Sequence, residues 1–270
     1  MIFTQTILKH QEEFQKMVDA GALVVVNHSG GKDSQAMYQV IKSLVPADQI
    51  EVVHADLGEF VEWGGVQDHI RNNIDTELHI AKAIYKDGSK KELLDMIEKR
   101  QMFPSAAQRY CTSDLKRGPC EKVIRRLANE RDTKLIISCM GFRAEESPAR
   151  AKVDTWKLDP RNQTAGRTWV TFQPIHDLTT EEVFKIIENA GQKRHWAYDQ
   201  GMKRLSCCFC VLAGEQDLKI AAKLNPTLLD KYLDLEKKIG HTFRHGKSLA
   251  DIVGVQVKPV QQDLFQEVAI

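Results

Sequence analysis

A short apolar run that leads straight into a glycine-bearing polar loop is the feature that most constrains the fold of this chain. Residues 22–26 are an alanine, a leucine and three valines, a composition typical of a strand buried on both faces of a parallel sheet. Residues 29–34 read Ser-Gly-Gly-Lys-Asp-Ser, and apolar residues at helical spacing follow them from Met37 to Leu44. Because open parallel sheets bind ligands at the carboxyl ends of their strands, we expect this loop to lie at a binding edge.

Patterns typical of strands and helices alternate along most of the chain. After a first helix over 3–20, further strands are predicted over 50–55, around 78–85, over 135–138 and over 169–172, with helices around 61–74, 90–101 and 119–130. The stretch 151–168 is polar and shows no steady period, so we expect a long loop there. The alternation predicts an α/β fold, in which right-handed crossovers place helices on both faces of a mainly parallel sheet.

The character of the chain changes near residue 190. A cysteine cluster at 207–210 and two predicted helices over 215–224 and 227–239 follow that point. A chain of 270 residues is long for one domain, and α/β folds of this length often form one core with an appendage. We therefore expect a main domain over 1–190 and a helical, cysteine-bearing C-terminal extension over 191–270.

Composition and charge exclude several classes of protein. Charged residues make up 28% and hydrophobic residues 42% of the chain, which is the balance of a folded globular protein and not of a disordered or fibrous one. The 38 basic and 37 acidic residues leave a formal charge of +1, so the overall field gives no strong attraction to nucleic acid or anionic lipid. No apolar run approaches the roughly 20 residues of a membrane-spanning helix, and no secretory pattern opens the sequence. We therefore expect a cytoplasmic protein that does not bind membranes.

The loop at 29–34 has the composition of a phosphate-binding turn. Its two glycines let the backbone turn tightly and aim successive N–H groups at one point, and the following helix adds its positive N-terminal end. Lys32 would neutralise phosphate charge, and Asp33 would hold a magnesium ion shared with the phosphates. The alternative is an ordinary turn between strand and helix, in which Gly30 and Gly31 only shape the backbone and the charged pair is solvated.

Four stretches of the chain follow one another in an order that characterises a family. They are residues 29–34, residues 110–116 with Pro119, residues 141–147 with Arg150, and residues 173–179. Together they span roughly residues 20–212, and the chain resembles the phosphoadenosine phosphosulfate (PAPS) reductase-like, or CysH-like, family of the PP-loop ATP pyrophosphatase superfamily, also called the adenine nucleotide α-hydrolases. The resemblance implies a Rossmann-like fold of the HUP type. It also implies an enzyme that cleaves ATP between its α and β phosphates and releases pyrophosphate.

The resemblance assigns roles to individual residues. The expected catalytic residues are Lys32, Asp33 and Arg143. The residues expected to bind the nucleotide converge on the edge of the sheet that carries the phosphate loop: Ser29, Gly30, Gly31, Lys32, Asp33, Ser34, Asp56, Lys116, Gly141, Arg143, Glu146, Ser147 and Arg150. The arginines would grip phosphate oxygens, and the glutamates would orient them or take a metal ion. The residues alone leave three alternatives open: paired surface charges at 143–150, a solvated helix face at Lys116, and a turn-capping role for Asp56.

Four cysteines form a second candidate site. Cys207 and Cys210 have the C-x-x-C spacing, and Cys111 and Cys120 are nine positions apart at the start of a basic helix. If the two pairs meet, their thiolates would bind an iron–sulfur cluster or zinc, and the resemblance favours a [4Fe-4S] cluster. Reductases of the family have an adjacent cysteine pair where this chain has Tyr110 and Cys111. Buried free thiols are therefore an equal alternative.

The activity expected from these features is an ATP α,β-hydrolase that uses ATP and Mg²⁺ and forms AMP or an adenylated acceptor. The acceptor is open, and nucleic acid enters only by analogy, as a target of sulfur transfer. Reductases of the family use a C-terminal cysteine, whereas no cysteine follows Cys210 here. Two alternatives remain: a sulfonucleotide reductase that uses an external thiol, and a nucleotide-binding accessory module of a mobile-element or CRISPR-associated defence system. A homodimer is also open.

Overall fold

A six-stranded sheet lies at the centre of the computed structural model, which describes residues 1–58 and 60–256. The strands are β1 (Leu23–Asn27), β2 (Ile50–Asp56), β3 (Leu78–Lys82), β4 (Leu135–Cys139), β5 (Trp156–Leu158) and β6 (Thr168–Phe172). Their order across the sheet is β3-β2-β1-β4-β6-β5, and every neighbouring pair is parallel except β5 with β6. The predicted mainly parallel α/β sheet is confirmed.

Strand β1 lies in the middle of the sheet because its side chains are apolar on both faces. Val24 pairs with Ile50 of β2 on one side and with Ile137 of β4 on the other, and the valines of β1 are completely buried. The chain adds β2 and β3 on one side of β1 and then returns to place β4 on the other side. The direction of the strand order reverses between β1 and β4, and open α/β sheets bind their ligands beside the carboxyl ends of strands at such a reversal.

Helices cover both faces of the sheet. Within the described residues they are α1 (Gln5–Lys9), α2 (Gln11–Asp19), α3 (Lys32–Lys42), α4 (Val66–Arg71), α5 (Leu93–Arg100), α6 (Tyr110–Thr112), α7 (Gly118–Glu130), α8 (Pro148–Ala151), α9 (Thr180–Asn189), α10 (Glu215–Leu224), α11 (Pro226–Ile239) and α12 (Leu249–Val253). A π-helical stretch, Ser113–Arg117, joins α6 to α7. Met37 of α3 belongs to the core cluster on one face, and Ile124 of α7 belongs to the cluster on the other face. The prediction of helices on both faces is therefore confirmed.

Two elements differ from the sequence-based expectation. The helix predicted over 3–20 is divided at His10 into α1 and α2. The stretch 151–168 is not a continuous loop, because it contains the short strand β5, whose Trp156 lies opposite Phe172 of β6. A strand of three residues at the edge of a sheet, with Lys157 and Leu158 exposed, is too short to give a periodic signal.

The C-terminal part of the chain contains the two predicted helices, as α10 and α11. Its apolar residues, including Tyr198, Leu218 and Tyr232, belong to the same core cluster as Val183 and Ile187 of α9. The division into a domain over 1–190 and an extension over 191–270 stays a prediction, and residues 257–270 of that extension lie outside the described residues. Over the ranges 1–58 and 60–256, each helix is too short or too polar to cross a membrane.

Candidate functional site

The loop between β1 and α3 has a backbone shape that only glycine adopts easily. Gly30 has a φ of +79°, in the left-handed region that disfavours other residues. A Cβ atom at Gly30 would also lie 2.8 Å from Cγ1 of Val66 in α4. Both steric reasons explain why the chain has glycine here, and the close packing on α4 fixes the loop against the rest of the fold.

The loop is held in shape by its own short-range hydrogen bonds. The N–H of Ser29 donates to Oγ of Ser34 at 3.1 Å, and the hydroxyl of Ser34 donates to the carbonyl oxygen of Gly31 at 2.9 Å. The N–H of Gly30 donates to Nδ1 of His28 at 3.0 Å. Burial lowers the pKa of His28 from 6.5 to about 3, so its ring is neutral and can accept this bond. The loop is therefore preformed.

Three other N–H groups of the loop are not used by the loop's own hydrogen bonds. In the described part of the chain, the backbone N–H groups of Gly31, Asp33 and Ser34 have no hydrogen-bond partner. They belong to the N-cap and first turn of α3, where helix N–H groups have no partner inside the helix. Donors at the positive end of a helix favour an anion, so the arrangement is suited to phosphate oxygens.

Lys32 places a buried positive charge beside these donors. The residue is only 5% exposed, and its Nζ lies 3.2 Å from Oδ2 of Asp33 and 5.8 Å from the centre of the Tyr198 ring. Its backbone N–H donates to the hydroxyl of Tyr198 at 3.0 Å. A buried ammonium is costly unless a negative group compensates it, which here is the Asp33 carboxylate and, in a complex, an anionic ligand.

Arg143 lies behind Asp33 and orients it. Its Nε donates to Oδ1 of Asp33 at 2.6 Å, and its Nη1 and Nη2 donate to the Leu178 carbonyl oxygen and the Thr180 hydroxyl, both at 3.0 Å. Nη1 also donates to Glu145 at 2.5 Å. Burial opposes the charged form, but the charges of Asp33 and Glu145 raise the pKa of Arg143. With a residue exposure of 2%, Arg143 holds protein groups in this structure, and its expected contact with phosphate oxygens stays a prediction.

The residues that follow Arg143 form a compact turn. Glu146 accepts the Arg143 N–H at 3.0 Å and forms an ion pair with Arg150. Ser147 caps α8 by accepting the N–H of Arg150 at 3.2 Å. The guanidinium of Arg150 lies 4.4 Å from the centre of the half-exposed Phe142 ring. In this structure Glu146, Ser147 and Arg150 stabilise the turn, as in the paired-charge alternative, and their expected contacts with the nucleotide stay predictions.

Gly141 brings this turn into contact with the phosphate loop. A Cβ atom at Gly141 would lie 3.2 Å from the carbonyl carbon of Asp33 and 3.3 Å from the nitrogen of Ser34. The backbone after β4 therefore packs directly on the first turn of α3, as expected for residues that converge on the same edge of the sheet.

Asp56 lies at the end of β2 and borders a cavity of about 420 Å³. Its Oδ1 accepts the N–H of Gly58 at 2.9 Å, and its Oδ2 lies 3.0 Å from Nζ of Lys82. Burial acts to raise its pKa, but the bonds from Gly58 and Lys82 outweigh burial and lower it. Asp56 thus caps a turn, as the alternative expected, and also lies beside the cavity, so a contact with a nucleotide stays a prediction.

A histidine connects this cavity to the phosphate loop. His54 of β2 contacts the carbonyl oxygen of His28 through Nδ1 at 2.8 Å and Oε2 of Glu62 through Nε2 at 3.0 Å. Burial acts to lower the pKa of His54, but the hydrogen bond and charge of Glu62 raise it overall. Because both ring nitrogens have partners, His54 is a satisfied strand residue that links Glu62, at the cavity wall, to the start of the loop.

The four candidate metal-binding cysteines do not form one site. Nζ of Lys116 lies 4.0 Å from Sγ of Cys207, and the charges of Cys207, Cys210 and Cys111 raise the pKa of Lys116. Cys120 instead belongs to the core cluster on the α7 face of the sheet. Over residues 1–58 and 60–256, no group of three or more histidine, cysteine or acidic side chains could hold a metal ion. The expected four-cysteine cluster or zinc site is therefore not supported, and the residues present do not fit it.

Sequence reasoning missed two groups at this site. Tyr198 reaches the loop from the C-terminal part of the chain, 166 residues from Lys32, and no motif marks it. His28 directly precedes the loop, and its position beside Gly30 was the only available signal for its role as an acceptor.

Comparisons with known proteins show which family most of the chain matches. Residues 23–213 match the family described as the phosphoadenosine phosphosulfate reductase domain. An uncharacterized 37.8 kDa protein of Escherichia phage 186 is 31% identical over 155 residues, which are 57% of this chain and 45% of that protein. An uncharacterized protein of Methanocaldococcus jannaschii is 25% identical over 214 residues, 79% of this chain and 47% of that protein. The chain spans about half the length of these curated relatives.

Two solved structures align with more than half of this chain at low sequence identity. The PAPS reductase of Candida auris, in a phosphate complex, is 14% identical with a TM-score of 0.47, over 73% of this chain and 87% of that chain. The FMN adenylyltransferase of Candida glabrata, in complex with FAD and pyrophosphate, is 14% identical with a TM-score of 0.42, over 68% of this chain and 55% of that chain.

Proposed function

Because the chain belongs to the phosphoadenosine phosphosulfate reductase domain family, we propose that it is an enzyme of adenine nucleotides that cleaves ATP between the α and β phosphates. The products would be pyrophosphate and either AMP or an adenylated acceptor. The phosphate loop at 29–34 would bind the pyrophosphate part of ATP beside the carboxyl ends of β1 and β4, where the strand order reverses.

One observation carries the proposal: a preformed loop presents partnerless N–H groups beside a buried lysine. The donors are those of Gly31, Asp33 and Ser34, with no partner in the described residues, and Nζ of Lys32 lies on the same first turn of α3. Such a site suits a diphosphate, because it combines several directed donors with a buried positive charge. The same features stabilise a pyrophosphate leaving group as negative charge develops on it.

In the proposed reaction an acceptor oxygen attacks the α-phosphorus of ATP. The bond between the α-phosphorus and the oxygen that bridges to the β phosphate breaks, and pyrophosphate leaves with the bonding electrons. The loop N–H groups and Lys32 hold and neutralise the leaving group. Arg143 keeps Asp33 in a fixed orientation, through its 2.6 Å bond to Oδ1. Water as acceptor gives AMP; another acceptor carries the AMP group, which a sulfur donor could then displace.

Asp33 is the residue that would hold a magnesium ion. The absence of a three-ligand group among the described residues does not exclude such an ion, since Mg²⁺ that arrives with a nucleotide takes only one or two carboxylates from the protein. Both oxygens of Asp33 have cationic partners in this structure, Arg143 at Oδ1 and Lys32 at Oδ2, so the ion would share a carboxylate oxygen with one of them. When bound, the ion would neutralise phosphate charge.

A sulfonucleotide reductase is the second candidate, because the matching family is named for that reaction. In this alternative the reductant would be an external thiol. Purified protein incubated with Mg²⁺ and ATP labelled in the α phosphate separates the two candidates. Labelled AMP with pyrophosphate supports the hydrolase. Sulfite and adenosine 3′,5′-bisphosphate from PAPS and a thiol support the reductase, and binding of ATP without turnover supports an accessory module.

Two lysines of α3 provide a matched pair of variants for the turnover assay. Lys32→Ala removes the buried ammonium beside the loop, and we expect AMP release to fall by about a hundredfold or more, the usual effect of losing one electrostatic contact to a transition state. Lys42→Ala removes an exposed lysine at the other end of the same helix, which pairs with Asp75, and should leave the rate near that of the wild type. Equal rates in Lys32→Ala and wild type, with both proteins folded by circular dichroism, would refute the proposal.

A further inference from the structure

Tyr198 lies outside every motif of the chain, yet its hydroxyl contacts the phosphate loop. It belongs to a short 3-10 helix, Trp196–Gln200, in the C-terminal part of the chain. The hydroxyl oxygen accepts the backbone N–H of Lys32 at 3.0 Å and that of Leu205 at 3.4 Å. The residue is 7% exposed.

The surrounding packing fixes the position of this phenol. A Cβ atom at Gly31 would lie 3.3 Å from the Tyr198 hydroxyl oxygen and 3.5 Å from Cβ of Leu205, so the loop backbone rests directly on both residues. The ring of Phe184 meets the ring of Tyr198 edge to face at 5.7 Å. A hydroxyl held this firmly beside a binding loop is preorganised for a contact with the ligand.

The hydrogen-bond count of the phenol leaves one group unused. A tyrosine hydroxyl has one O–H donor and oxygen lone pairs that accept. The amides of Lys32 and Leu205 both donate to the oxygen, and within residues 1–58 and 60–256 no acceptor for the O–H hydrogen is found. Burial raises the pKa of Tyr198 to about 12, so the phenol keeps this hydrogen at neutral pH. A buried donor without an acceptor favours an anionic oxygen placed next to it.

We propose that Tyr198 is a binding residue of the phosphate loop, whose O–H donates to an oxygen of the pyrophosphate part of the nucleotide. The inference rests on the proposed function, because it adds a donor to the same site. It also gives the C-terminal part of the chain a direct role in recognising the substrate. Since the contact is to the β or γ phosphate, it contributes to binding of ATP and pyrophosphate and not to binding of AMP.

Two tyrosine-to-phenylalanine variants test the assignment. Tyr198→Phe keeps the ring and removes the hydroxyl. Tyr38→Phe is the matched control, because the Tyr38 hydroxyl also accepts a backbone N–H, that of Asp75 at 2.8 Å, and lies away from the loop. Isothermal titration calorimetry with inorganic pyrophosphate and Mg²⁺, and separately with AMP, measures the affinities. We expect Tyr198→Phe to bind pyrophosphate about tenfold more weakly, as for loss of one hydrogen bond to a charged group, and AMP as the wild type does.

Each other outcome of the titrations overturns the assignment. If Tyr198→Phe binds pyrophosphate as well as or better than the wild type, the hydroxyl does not donate to it. If Tyr38→Phe weakens pyrophosphate binding equally, or if Tyr198→Phe weakens AMP binding equally, the role of Tyr198 is structural. If the wild type binds neither pyrophosphate nor ATP, the proposed function falls together with the assignment, whereas the first two results leave the proposed function intact.

Discussion

Replacing Arg143 by methionine separates the role that the sequence predicts from the role that the structure indicates. Methionine fills the volume of the aliphatic stem but donates no hydrogen bond. The variant loses the bonds to Asp33, Leu178 and Thr180, and it leaves Asp33 with Lys32 as its nearby cation. Removing one partner of a buried ion pair costs about 3 to 5 kcal/mol in the free energy of unfolding. The Asp33 side chain is 17% exposed, so we expect the lower end, about 3 kcal/mol.

The assay combines unfolding in urea with titration of ATP. Because Arg143 bonds to Asp33 and to other protein groups, stability should fall by about 3 kcal/mol, while ATP binding by the folded fraction weakens by roughly tenfold or less. Arg143→Lys keeps the positive charge but lacks the planar guanidinium, so its loss of stability should be smaller than that of Arg143→Met. Glu145→Gln is the control, because the Glu145 side chain is 52% exposed and such pairs contribute about 1 kcal/mol or less.

The opposite pattern would refute this reasoning. If the main role of Arg143 were to bind phosphate oxygens, the free energy of unfolding of Arg143→Met would lie within about 0.5 kcal/mol of the wild-type value, as for most surface substitutions. The ATP affinity of the variant would then fall by a hundredfold or more. That result would restore the role expected from the sequence.

Two further predictions concern the loop and its histidine. His28 has its pKa lowered from 6.5 to about 3 by burial, so between these values the unfolded chain takes up a proton and the folded chain does not; stability is complete above pH 6.5 and falls by about 2 kcal/mol at pH 5. In urea unfolding, the free energy of unfolding of His28→Asn should fall less between pH 7 and pH 5 than that of the wild type, by about this amount. An equal fall in both proteins would contradict the prediction. Gly30→Ala should destabilise the protein by more than Gly191→Ala, measured by urea unfolding, because both have positive φ but only a Cβ at Gly30 meets Val66, at 2.8 Å; equal losses would show that the contact is relieved without cost.

The sequence predicts the loop well because the contacts that shape the loop are local. Ser29 and Ser34, which are hydrogen-bonded to each other, are five residues apart. Strand β1 is predictable because its apolar run is typical of a central strand that is buried on both faces. The role of Arg143 is different. Its partners Asp33, Leu178 and Thr180 are 110, 35 and 37 residues away, so only the folded chain shows that they engage all three nitrogens of its guanidinium. The contact of Tyr198 with Lys32, 166 residues away, is likewise visible only in the folded chain.

The spacing of Cys111 and Cys120 does not by itself show whether the two side chains lie close together. Because an α-helix turns by about 100° per residue, residues nine apart lie about half a turn from each other. The sequence predicts Cys111 and Cys120 at the start of one helix. In the structure Cys111 lies in α6 and Cys120 in α7, and a π-helical stretch separates them, so the spacing of a regular α-helix does not apply. Cys111 packs against the core that also contacts Cys207 and Cys210, whereas Cys120 faces the sheet from the other side. Burial raises the pKa of Cys207 to about 11, although Lys116 acts to lower it, and burial raises that of Cys120 to about 12. Cys120 thus packs in a different core cluster from the other three cysteines, although the charge of Lys116 acts to lower its pKa as well, so nearness to one lysine does not bring the four thiols into one site.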